Sequence, residues 1–288
     1  MTMQEDSPSE PSRSSIPVAP SLDDPTSGPK TPRAGSVIDG GTVRITVYSI
    51  VLGLVGGLVA QALTALIGFI TNIAFYGRLS TEFVSPAGNH LGILVVIVPV
   101  AGAVIVGIMA RYGSQAIRGH GIPEAMEQVL TNRSRIQPRL TFLKPVSSAI
   151  AIGTGGPFGA EGPIIATGGA FGSLLGQLLH TTNDERKTLL AAGAAAGMAG
   201  TFGSPVAAVL LAVELLLFEF KARSLIPVAM ASVTATVVRI SFLGADPIFA
   251  MPQIAAPGAT AIGVYVALGA LTGLAAVYVT RAVYGLED

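Results

Sequence analysis

The chain has 288 residues, half of them hydrophobic and only 12% charged, and its mean hydropathy of +0.64 exceeds what a soluble domain of this size needs to fill a core. Its 17 basic and 17 acidic side chains cancel, which leaves no electrostatic footprint for nucleic acid. Cysteine is absent and the three histidines, His90, His120 and His180, are widely separated, so disulfides, thiolate centres and a zinc or haem cluster are excluded.

Residues 1–43 are rich in Ser, Pro, Asp and Glu and hold few large apolar side chains. Such a segment cannot bury enough surface to offset its ordering entropy, and it reads as a disordered tail without the apolar core of a signal peptide. From residue 44 to the C-terminus the chain reads as one transmembrane domain. Apolar stretches long enough to cross about 30 Å of hydrocarbon run from Ile45 to Tyr76, Leu91 to Ala110, Leu225 to Leu243 and Ala259 to Tyr278. Shorter apolar pieces, broken by Gly and Pro, run from Val146 to Gly156, Pro163 to Leu179, Leu189 to Gly200 and Pro205 to Phe220. These suit tilted or half-crossing helices in an all-α, polytopic membrane protein.

Basic residues set the expected orientation, because short cytoplasmic loops carry the excess of Lys and Arg. Lys30, Arg33 and Arg44 precede the first span, and Arg111, Arg118, Arg133, Arg135, Arg139 and Lys144 fall in the loop between Arg111 and Lys144. The loop from Gly77 to His90 has only Arg78. The expected arrangement is a multi-pass protein of the cell membrane with a cytoplasmic N-terminus. Small residues recur at helical spacing, Gly53 with Gly57, Gly168 with Gly172 and Gly176, and Gly193 with Gly197, where they allow helix backbones to approach closely.

Three segments combine Gly or Ser with Pro at expected helix starts. In Gly119-His120-Gly121-Ile122-Pro123-Glu124, Pro123 fits a first helical turn, Glu124 favours the positive helix end, and bare glycines leave the preceding amides accessible. The turn reads either as an anion site or as a capped cytoplasmic turn. In Gly159-Ala160-Glu161-Gly162-Pro163, the expected place of Glu161 is the N-cap or just before it, where its carboxylate and an anion compete for the same amides. A carboxylate buried at membrane depth is costly and points to ions or protons; the alternative is a plain acidic cap. In Phe202-Gly203-Ser204-Pro205, Ser204 suits an N-cap and Pro205 a first residue. Glu214 farther along this run reads as a proton relay or as an interfacial charge near Lys221 and Arg223. No pairing of nucleophile with base appears, and an enzyme is not expected.

Taken in order, these segments resemble the CLC family of chloride channels and chloride/proton exchangers. Gly119–Glu124 is similar to the family's GSGIPE segment, Gly159–Pro163 to its G(K/R)EGP segment, and Ala191–Glu214 to the alanine-rich helix pair that follows. The resemblance implies that Glu161 is the gating glutamate, and that Gly119, His120, Gly121, Ile122, Ala160, Gly162 and Pro163 bind the anion. It further implies chloride as the transported ion, no cofactor, a lipid bilayer setting and a homodimer of subunits built from two inverted halves.

The departures carry expectations too. His120 stands where the family has serine, Ala160 replaces Lys or Arg, and Leu215 occupies the place of the exchangers' internal proton-handling glutamate. The last substitution leans toward passive conduction. The second half's GxFxP segment and tyrosine are not found, so half a pore is expected. Such a half is a fragment of a longer protein, needs a complementary partner, or serves as a non-conducting companion of a complete subunit; Glu214 is the candidate for a proton pathway.

Overall fold

A computed structural model describes residues 39–246 and 256–287; the expected disorder of the tail lies almost wholly outside these residues. Among the described residues the regular structure is helical throughout. The first helix, α1, spans Gly40–Tyr76 and so begins within the segment assigned to the tail. Asp39 explains the earlier start, because its carboxylate accepts from the Thr42 amide and hydroxyl, each at 2.8 Å, and caps the helix. The helix stops at Gly77, whose φ of 62° supplies the left-handed turn.

After α1 come a 3-10 turn, Gly92–Val96, and α2, Ile97–Ile108, closed by a π-helical turn over Met109–Gly113. The helices α3 (Ile122–Thr131), α4 (Leu140–Gly153), α5 (Glu161–Leu178) and α6 (Asn183–Phe202) follow. Then come α7 (Pro205–Ala212), extended by a π-helical turn to Leu217, α8 (Ala222–Leu243) and α9 (Ala259–Glu287). The helix α1, the Gly92–Gly113 stretch, α8 and most of α9 are long and apolar enough to cross a membrane. All four expected spans are present, each extended at one or both ends. The four shorter apolar pieces form α4 to α7. Residues 39–244 and the segment from Ala245 onward form separate compact units, and the site described below lies within the first.

At the centre of that unit lies α6, held between α1, α5 and α8. Its alanines Ala191, Ala192, Ala194, Ala195, Ala196 and Ala199 are all buried. Side chains this small let the neighbouring backbones close in, which is how helices associate where lipid removes the hydrophobic driving force. The expected glycine contacts are realised. Gly168 of α5 and Gly193 of α6 face each other's carbonyls, and Gly172 faces that of Leu189. On α1, a Cβ at Gly53 would stand 2.6 Å from Ala231 O, and one at Gly57 2.8 Å from Val238 Cβ. The α1 and α8 backbones thus run side by side.

Polar clamps fix the connections. Buried Asn72 donates to Gly68 O, Ser80 O and Glu82 O at 2.8–3.1 Å and accepts from Arg78 Nε at 2.5 Å, pinning residues 77–85 over the end of α1. Between α3 and α4, Arg133 and Ser134 take positive φ values of 50° and 58°. Ser173 of α5 holds this strained turn, donating to Ser134 O at 2.6 Å and accepting from Ile136 N at 2.9 Å. From α6, Arg186 donates to Arg133 O at 3.1 Å. These bonds anchor α3 against α5, and with it the start of α3 against the start of α5.

Candidate functional site

The start of α3 is shaped by two glycines that take conformations open to few other residues. Gly119 has φ 85° and Gly121, the N-cap, φ 110°. Pro123 sits in the first turn, as its spacing predicts. Glu124 reaches back, and its carboxylate accepts from the Gly121 amide at 2.6 Å. One amide of the expected anion cradle is therefore occupied by the helix's own acid. Those of Gly119, His120 and Ile122 have no hydrogen-bond partner among the described residues.

The start of α5 lies directly against this turn. A Cβ on Gly121 would stand 2.5 Å from Gly162 O, and one on Gly162 would collide with His120 O and lie 2.6 Å from His120 Nδ1. Glycine at both positions lets two helix starts touch backbone to backbone, with the His120 imidazole laid over the first turn of α5. Glu161 and Gly162 occupy its first two positions, whose amides have no intrahelical acceptor, and Pro163 has no amide to offer. Two helix starts, each equivalent to about half a positive charge, therefore lie side by side.

Glu161 differs from expectation in two respects. It is the first helical residue, not the cap; Ala160, with φ −82° and ψ −10°, takes the cap position. Its side chain is also exposed in this chain, not buried. The carboxylate accepts no hydrogen bond among the described residues, and a Cβ on Gly159 would stand 3.8 Å from Glu161 Oε2. The acid therefore turns back over Gly159, leaving the α5 amides uncovered. It nevertheless stays within one residue of the Gly121–Gly162 contact.

Lys144 is the residue that sequence reasoning missed. Counted there among the basic loop charges, it is 5% exposed on α4, and its ammonium donates to Ile117 O and Gly119 O, both at 2.9 Å. These bonds hold the segment leading into the His120–Gly121 turn and put a fixed cation behind it. A faint signal was available, since Lys144 falls inside an apolar run just before Pro145, an uncommon place for an exposed charge. A cavity of about 340 Å³, lined by Arg118, Glu124, Gln128, Lys144 and Ala166 among others, opens beside Gly121.

The third start behaves differently. Ser204 occupies the N-cap of α7 as expected, but its side chain does not cap the helix; its hydroxyl points back to Phe202 O at 3.4 Å. Glu214 lies exposed on the π-helical turn. The cations expected near it are engaged elsewhere: Lys221 pairs with Glu219 at 2.7 Å, and Arg223 lies 3.9–4.0 Å from Asp184 and Glu219. Burial raises the Glu219 carboxyl, but hydrogen bonds from Lys221 and Ser224 and the charges of Lys221 and Arg223 outweigh it, so the group lies below the ordinary carboxylate range.

Two helix starts in contact inside a bundle of apolar, glycine-packed helices define a polytopic α-helical membrane protein. The chain belongs to the voltage gated chloride channel family, whose model matches residues 101–288. It is 33% identical over 170 residues to the H(+)/Cl(-) exchange transporter ClcA of Vibrio cholerae, covering 58% of this chain and 36% of that one. Among solved structures, a slow cyanobacterial Cl-/H+ antiporter aligns with a TM-score of 0.65 at 21% identity over 82% of this chain and 55% of its own. A CLC-type fluoride/proton antiporter aligns with 0.64 at 22% identity, covering 81% and 55%. The chain spans between 24% and 53% of the length of the curated relatives it matches, and the fold is that of the first inverted half.

Proposed function

We propose that the chain moves chloride, or a similar small anion, across the cell membrane as the first half of a CLC-type pore. The contact between the His120–Gly121 turn and the Glu161–Gly162 start of α5 carries this reading. Amides held there by rigid backbone bind an anion without a direct salt bridge, weakly enough for it to leave as readily as it enters. Lys144 adds a fixed positive field from behind, and the cavity beside Gly121 offers an approach. Glu161 is the gate, a tethered carboxylate next to the amides an anion needs. Seated on them it blocks; turned over Gly159, as here, it leaves them open.

Leu215, in the place of the exchangers' inner acid, favours passive conduction. The exchanger names of the relatives support coupled movement of protons as the second reading, with Glu214 as the candidate relay. A homodimer, a complementary half and a silent association with a complete subunit are the proposed assemblies. The tail is proposed to face the cytoplasm, and no cofactor is invoked.

The test is chloride efflux from liposomes containing the purified full chain, alone and together with a second-half polypeptide of the family. The reading predicts efflux in at least one of these preparations, altered by Glu161→Gln. No efflux in either, or efflux indifferent to that substitution, overturns it. Proton uptake driven by a chloride gradient separates exchange from passive flow.

A further inference from the structure

Arg239 is a charged side chain on the membrane-crossing helix α8 that the proposed pore leaves unused. It is 6% exposed, and its Nε has no hydrogen-bond partner among the described residues. Among the described residues it forms no ion pair. The neighbouring contacts Gly53 with Ala231 and Gly57 with Val238 set it beside the middle of α1, far from either end of a 37-residue helix. A guanidinium cannot shed its proton to escape this setting, and an ionised side chain at membrane depth is costly unless something answers its charge.

What it faces is the corner between α6 and α7. A Cβ on Gly203 would stand 3.2 Å from Arg239 Nη1 and 3.3 Å from its Cζ and Nε. Gly203 takes the left-handed turn at φ 63° that ends α6, and the next residue, Ser204, is the uncapped N-cap of α7. The positive end of α7, with its open first-turn amides, therefore begins one residue from the buried guanidinium. The carbonyl end of α6 answers the charge only in part. Ala199 O already accepts from Gly203 N at 2.9 Å, and Gly200 O from Gln61 Nε2 at 3.0 Å.

We propose that Arg239 and the start of α7 form a second binding site for a small inorganic anion, distinct from the one at Glu161. The guanidinium supplies directional, charge-assisted donors and α7 its orphan amides. An arginine that only balanced the α6 dipole would hold no anion there.

Crystals of the full chain soaked in bromide, read by anomalous scattering, test the proposal. The expected result is a peak in contact with Arg239 that persists in Glu161→Gln and disappears in Arg239→Gln. In solution, bromide titration should give one site fewer for Arg239→Gln than for wild type. Should Arg239→Gln fail to fold, Arg239→Lys keeps the charge but loses the planar fork, and binding at this site should weaken by about tenfold or more. No wild-type peak at the corner, a peak surviving Arg239→Gln, or unchanged affinity in Arg239→Lys overturns the proposal.

Discussion

Replacing Lys144 with Met keeps most of the side chain's length and apolar stem while removing the ammonium, and so tests whether that cation shapes the anion turn. The side chain is 5% exposed and makes two hydrogen bonds of 2.9 Å, to Ile117 O and Gly119 O. A hydrogen bond from a charged donor contributes about 1.5–3 kcal/mol, so the gross loss is about 3–6 kcal/mol. Relief of the ammonium's desolvation cost offsets part of this, and water can reach the exposed Gly119. The net loss is then about 2 kcal/mol or more, concentrated in the segment from Gln115 to Gly121. Hydrogen exchange followed by mass spectrometry reads it directly. A 2 kcal/mol fall in local opening energy lowers protection of that peptide by about 30-fold, while α6 at the bundle centre stays protected. Unchanged exchange across Gln115–Gly121, with chloride affinity equal to wild type, would refute the role given to Lys144.

Gly121→Ala forces a side chain into φ 110°, with its Cβ 2.5 Å from Gly162 O; strain and overpacking together cost about 2–6 kcal/mol, read as a lowered thermal midpoint in detergent with loss of chloride binding. Asn72→Ala removes the clamp on residues 77–85 at a cost of about 2–4 kcal/mol for a buried, multiply bonded side chain, and limited proteolysis should then cut within that loop. Hydrogen bonds from the Thr42 amide and hydroxyl hold the Asp39 carboxyl below the ordinary aspartate range. Its folded pKa being depressed, the stability it contributes is complete above the unfolded value and vanishes as the pH falls through the folded one. Wild type should therefore lose its advantage over Asp39→Asn in thermal melts as the pH falls below the ordinary aspartate range, and a difference that stays constant on acidification would contradict the capping role.

The spans were legible because about twenty apolar residues in a row have few other uses, and the three helix starts because Gly, Ser and Pro act through local backbone geometry. That is why Pro123, Pro163 and Pro205 all fall in first turns. Glycine packing was legible for the same reason, as Gly168 and Gly193 show. What escaped depends on tertiary neighbours. Nothing near Lys144 in the chain tells that the carbonyls of Ile117 and Gly119 turn toward it, and Arg239 meets Gly203 across 36 positions. Glu161 was placed a residue too early because Ala160 already takes a near-helical backbone conformation, and its burial was inferred from apolar neighbours that leave the first turn of α5 uncovered.

The central claim is that the His120–Gly121 turn and the start of α5 form one anion site for which Glu161 competes. Titrating chloride into the purified chain at neutral pH, wild type against Glu161→Gln, tests it most directly. The account predicts binding about tenfold or more tighter once the carboxylate's charge is removed, a difference of at least about 1.4 kcal/mol. Equal affinities for the two proteins would contradict it.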